Sequence, residues 1–110
     1  MANDVYNYQI YMQNLQNILI QKQTFEIQLE EIKQTIETLS NYEKDVVYKS
    51  VGSVLIEEKR EKIIKELKEK QEELEIKLKS ISRQEIVLKN KVEELAKKIN
   101  SQNLTPEDKK

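Results

Sequence analysis

Val46-Val47-Tyr48-Lys49-Ser50-Val51-Gly52-Ser53-Val54-Leu55-Ile56 places β-branched and apolar residues on both sides of the chain's single glycine. Branching at Cβ restricts χ1 in a helix and suits a pleated surface, so the segment reads as two short strands. Gly52 with Ser53 supplies a two-residue turn, which makes it a β-hairpin. No heptad passes through it, yet heptads fill the chain on either side. Before it, Tyr8, Tyr11, Leu15, Ile18, Lys22, Phe25, Leu29, Ile32, Ile36 and Leu39 alternate in steps of three and four. After it, Ile64, Leu67, Gln71, Leu74, Leu78, Ile81, Glu85, Leu88, Val92, Leu95 and Ile99 keep the same rhythm. Residues three and four apart share one helix face, so each flank carries a narrow seam of coiled-coil type.

Composition agrees with that reading. The chain has 110 residues, 35% charged and 37% hydrophobic. Most of the apolar content lies in the two seams, which leaves little for a globular core and limits the chain to one thin domain. One glycine and one proline, Pro106, favour long uninterrupted helices. Asn3 or Asp4 is the expected cap of a first helix over 5–40, with Ser40-Asn41 as its stop. At 1.5 Å per residue it is about 50 Å long. A second helix is expected to begin near 57–60 and to occupy 58–101, about 65 Å. Residues 102–110 read as a flexible tail.

The second helix is laced with Glu placed four residues before Lys: Glu58–Lys62, Glu61–Lys65, Glu66–Lys70, Glu73–Lys77, Glu75–Lys79, Glu93–Lys97 and Glu94–Lys98. That order suits the helix dipole, and each exposed pair contributes about 0.3 kcal/mol. The hairpin at 46–56 turns the chain back on itself, so the seams are expected to meet antiparallel. The polar seam residues Lys22 and Glu85 then fall within about one helical turn of each other, where a pair can fix register.

An isolated two-stranded hairpin is marginal in water and exposes two unpaired edges. Val46, Val47, Tyr48, Val51, Val54, Leu55 and Ile56 also make it too apolar for solvent. With Gly52 at its turn, it is expected to pair with the same element of other subunits and close a sheet or barrel. At the other extreme of the fold-back, Val5, Tyr6, Tyr8, Ile10, Tyr11 and Met12 occupy more of the helix circumference than the seam needs. Two readings fit this end. It is a sticky tip for unfolded apolar segments, or it caps the coiled coil or meets one fixed partner.

Catalysis finds little support. There is no His to act as a base and no Cys to act as a nucleophile. Adjacent carboxylates such as Glu72-Glu73 point about 100° apart on a helix and form no acid/base dyad. No His/Cys cluster or oxygen-rich loop suggests a metal or cofactor. With 19 basic against 20 acidic residues, a nucleic-acid partner is not expected, because phosphate backbones attract uncompensated Lys and Arg. The lysines at 59–70 are interleaved with glutamates and read as a solvated face. No membrane association is expected either. The start lacks a signal-peptide pattern, and no apolar stretch approaches the roughly 18 residues that span a bilayer. The expected setting is cytoplasmic.

The order of elements and the turn residues resemble the beta-type subunits of the prefoldin family. The most specific part is Val47-Tyr48-Lys49-Ser50-Val51-Gly52-Ser53-Val54-Leu55-Ile56, where such subunits carry a tyrosine-lysine, valine-glycine, then apolar pattern. Gln21-Lys22-Gln23 and Ser82-Arg83-Gln84-Glu85 look similar as well. A single strand pair points to the beta type, since alpha-type subunits carry two hairpins. The Lys/Glu/Ile-rich arms and short tail fit an archaeal member. The resemblance implies a mainly α fold, a long antiparallel two-helix coiled-coil hairpin with a short β-hairpin at the turn. It also implies an intersubunit β-barrel in a hexamer of two alpha and four beta subunits. Such hexamers hold non-native proteins between their tips without ATP and deliver them to a group II chaperonin. The rival reading is a coiled-coil scaffold subunit of a fixed complex; another is a homo-oligomer without an alpha partner.

Overall fold

A computed structural model describes the backbone of residues 2–102 and the side chains of residues 3–101. The expected tail lies outside the described residues from 103 onward. The elements follow in the order α1 (Ala2–Ser40), β1 (Val46–Val51), β2 (Val54–Lys59) and α2 (Arg60–Gln102). The fold is mainly α, two long helices joined through a β-hairpin.

No glycine or proline interrupts α1. It begins at Ala2 and not after the expected cap at Asn3 or Asp4. Both residues are helical, and Asp4 sits in the first turn, where its charge complements the positive helix end. The C-terminus tightens as it stops. Asn41 N donates to Glu37 O at 3.2 Å and Tyr42 N donates to Leu39 O, also at 3.2 Å. The last turn of α1 contains no basic residue. Arg60, the first residue of α2, supplies one: its Nη1 donates to Leu39 O at 3.1 Å. Its backbone N donates to Asp45 O at 2.8 Å, tying the strand entry to the helix start.

The hairpin is antiparallel, with Val51 opposite Val54, Lys49 opposite Ile56 and Val46 opposite Lys59. Gly52 has φ of 60°, and among the described residues no non-glycine residue has positive φ. A positive φ at the first turn residue only is the type II′ pattern, whose twist matches that of the strands. β2 reaches Lys59, three residues beyond Ile56, where the sequence suggested that a helix was already forming. Glu57, Glu58 and Lys59 favour helix on their own, but ladder pairing with Tyr48, Val47 and Val46 overrides that preference.

The described residues form two compact units, one of residues 2–23 with 79–102, the other of residues 24–78. In the first unit Lys22 of α1 bonds Glu85 of α2, and Lys91 Nζ lies 5.2 Å from the Tyr11 ring centre. In the second, Lys77 Nζ lies 5.8 Å from the Phe25 ring centre. Later α2 residues meet earlier α1 residues, so the helix segments run antiparallel. Between Val5 and Ser40, the half-buried residues of α1 are those of the first heptad series and no others. On α2 every member of the second series is half-buried or buried, joined by Arg60, Ile63, Ser82 and Ala96. Leu74, Ile81 and Glu85 are buried.

Candidate functional site

The hairpin presents two faces, because strand residues opposite each other project to the same side. One face carries Val47, Lys49 and Val51 with Val54, Ile56 and Glu58. It turns toward the helices of its unit. Val47 and Lys49 border an apolar hollow of about 380 Å³ with Leu39, Ile63 and Leu67, and Lys49 Nζ lies 3.8 Å from Glu66 Oε2. The other face carries Val46, Tyr48 and Ser50 with Leu55, Glu57 and Lys59. Of the residues expected to serve assembly, Val46 and Val47 are half-buried, while Tyr48, Val51, Gly52, Val54, Leu55 and Ile56 are exposed. Tyr48 and Leu55 are each 68% exposed. Among the described residues the sheet has two strands, so both outer edges leave backbone groups open to pairing.

The residues expected to contact clients separate by their direction around α1. Tyr8 and Tyr11 are half-buried seam members; Val5, Tyr6, Ile10 and Met12 are exposed. Tyr6 and Ile10, four residues apart, share the face away from the seam. Val5 and Met12, seven apart, lie beside Tyr8. Opposite this end of α1, Ala96 and Ile99 of α2 line a hollow with Val5 and Tyr8.

Within the same unit stands a part-buried ionic cluster. Lys22 Nζ donates to Glu85 Oε1 at 2.8 Å, and Lys89 Nζ lies 2.7 Å from Glu85 Oε2. The hydrogen bond from Lys22, then that from Lys89, hold the Glu85 carboxyl below its ordinary range against the opposing effect of burial. The Lys22–Glu85 meeting follows from the seam pattern. The share taken by Lys89 was missed, although it stands four residues after Glu85. Of the seven Glu–Lys pairs read from sequence, Glu58–Lys62 closes, at 3.4 Å. It is the one such pair within 4 Å among the described residues. The capping role of Arg60 was also missed, since its acceptors lie 20 and 21 residues earlier in the chain.

Among the described residues, no group of three or more His, Cys, Asp or Glu is placed to hold a metal ion. No helix among them is long and apolar enough to cross a membrane.

Comparison with known proteins agrees with this geometry. The family model described as prefoldin subunit matches residues 3–104. A prefoldin subunit beta of Pyrococcus furiosus is 40% identical over 90 residues, covering 81% of this chain and 77% of that protein. The corresponding protein of Thermococcus onnurineus is 40% identical over 90 residues, covering 81% and 78%. The crystal structure of the prefoldin beta subunit from Thermococcus strain KS-1 superposes with a TM-score of 0.84. It is 35% identical and covers 96% of this chain and 93% of that one. Shared sequence across both helices and the hairpin, with the same fold, leads to one conclusion: the chain belongs to the prefoldin family.

Proposed function

We propose that this chain is a beta-type prefoldin subunit, an ATP-independent chaperone that holds non-native proteins in the cytoplasm and passes them to a group II chaperonin. Its hairpins join those of an alpha-type subunit and further beta copies in a β-barrel, within a hexamer of two alpha and four beta chains. The assembly residues are Val46, Val47, Tyr48, Val51, Gly52, Val54, Leu55 and Ile56. Clients are held by Val5, Tyr6, Tyr8, Ile10, Tyr11 and Met12.

One observation carries the reading. The chain's uncovered apolar residues include two concentrated sets, the open-edged hairpin and the start of α1. The hairpin set offers backbone pairing as well as side chains, as strand addition between subunits requires. The α1 set offers side chains alone, broad aromatics and a flexible thioether that adapt to varied surfaces. Single contacts of that kind are weak, and several tips acting on one client raise the avidity.

Deletion of residues 2–12 tests the assignment. The shortened chain should assemble to the same number of subunits by light scattering, yet lose suppression of aggregation of a chemically denatured enzyme. Suppression that persists undiminished removes the tip role, whereas no suppression by the full-length parent leaves the scaffold reading in its place.

A further inference from the structure

From Val5 to Gln21, α1 contains no charged residue, in a chain that is 35% charged. Within that stretch Val5, Tyr8, Met12, Leu15 and Leu19 are spaced by three and four. This is a second heptad series, sharing Tyr8 and Leu15 with the seam that packs on α2. Seven residues fall only about 20° short of two full turns, so Val5, Met12 and Leu19 stand in line. They are 39%, 40% and 41% exposed, a uniform half-cover along the whole stripe.

Met12 and Leu19 lie in a groove of about 700 Å³ whose rim includes Gln9, Gln13, Gln16 and Asn17. At its outer end Val5 meets the hollow bordered by Ala96 of α2. On α2, Ser82 and Ala96 are two heptads apart on one face, and both are half-buried and small. The stripe therefore continues an existing helix–helix interface, flanked on α2 by Ser82, Lys89 and Ala96 at heptad spacing, with Lys89 drawn to Glu85.

We propose that this stripe docks an amphipathic helix of a partly folded client, which names the class of segment held if the chain is a holdase. The spacing selects a helix. Knobs recurring in steps of three and four fit a heptad groove, whereas an extended segment offers same-face side chains at one uniform spacing. The rim selects breadth. Fixed coiled-coil partners choose each other through flanking charges, whereas the polar side chains of α1 around this groove are amides and the Tyr8 hydroxyl, which donate and accept without regard to a guest's charge, and Lys89 of α2 is already engaged by Glu85. That favours guests of varied sequence over one dedicated partner or a second copy of this chain.

A fluorescein-labelled 21-residue peptide tests this, built as three heptads with Leu at the seam positions, Gln and Ala elsewhere and Lys at each end. Its control carries two central prolines. Each is titrated against the full assembled protein by fluorescence anisotropy. The helical peptide should bind about tenfold or more tightly than the control. Met12→Gln/Leu19→Gln should cut its affinity about tenfold, the effect of losing roughly 1.4 kcal/mol of apolar contact. The circular dichroism and the assembled mass should not change. Equal binding of the two peptides, or no effect of the double variant, overturns the proposal. A variant that changes the assembled mass assigns the groove to a second copy and also overturns it. Suppression of enzyme aggregation is measured in parallel. Suppression without helical preference rejects the groove alone, whereas no suppression by the parent rejects the holdase reading itself.

Discussion

Glu85 occupies a seam position where an apolar residue would pack more simply, and two lysines answer its charge. A part-buried pair of this kind is weak support for stability but a recognised device for setting register. Its carboxyl is held below the ordinary range, so the charged form is favoured in the folded state. Stability from that source is present in full above the ordinary glutamate range. It is lost as the pH falls beneath that range through the depressed value. Glu85→Gln should therefore melt below the parent at neutral pH, with the gap closing on acidification. Thermal melts followed by circular dichroism across that range check the sign. A gap that stays constant into acid would show that the charge contributes nothing. Lys22 and Glu85 could be matched from the seam pattern because both lie on it. Arg60 could not, because its acceptors on α1 are reached only once the chain has turned back.

At the scale of elements, the hairpin depends on one backbone angle. Gly52 holds φ of 60°, and a Cβ there would meet nothing within 4 Å. Gly52→Ala should thus act through backbone strain alone, about 1 kcal/mol. Because an isolated hairpin is marginal, that strain should appear as roughly fivefold weaker assembly, read from the concentration dependence of the light-scattering mass. Unchanged assembly at every concentration would mean the turn tolerates an L-residue without penalty. The hairpin's centre was legible from β-branched residues around a glycine. Its end was not, because Glu57, Glu58 and Lys59 are helix formers held as strand by cross-strand partners.

For the molecule as a whole, assembly and client holding are expected to be coupled through avidity. Val54→Asp places a charge at an exposed apolar position of the hairpin, which closure of a barrel by neighbouring hairpins would have to bury. The variant should remain a subunit-sized species by light scattering, with α1 intact by circular dichroism. Suppressing aggregation of the same denatured enzyme should then require on the order of 100-fold more chain, since single tips no longer act together. An intact hexamer would refute the platform role of the hairpin, and full activity as a monomer would refute the part played by multivalency.

The heptad steps, the single glycine and the β-branched cluster were enough to determine two long helices, one turn between them and the residues lining each seam. Those features are periodic and local, so side-chain direction follows from position along the chain. The tertiary structure alone decided which side chains outside the seams gain cover. Arg60 reaches back to α1, Lys89 joins Glu85, and Ser82 and Ala96 are half-buried beside the seam. These outcomes depend on how two helix surfaces approach in space, and no spacing within either helix specifies that approach.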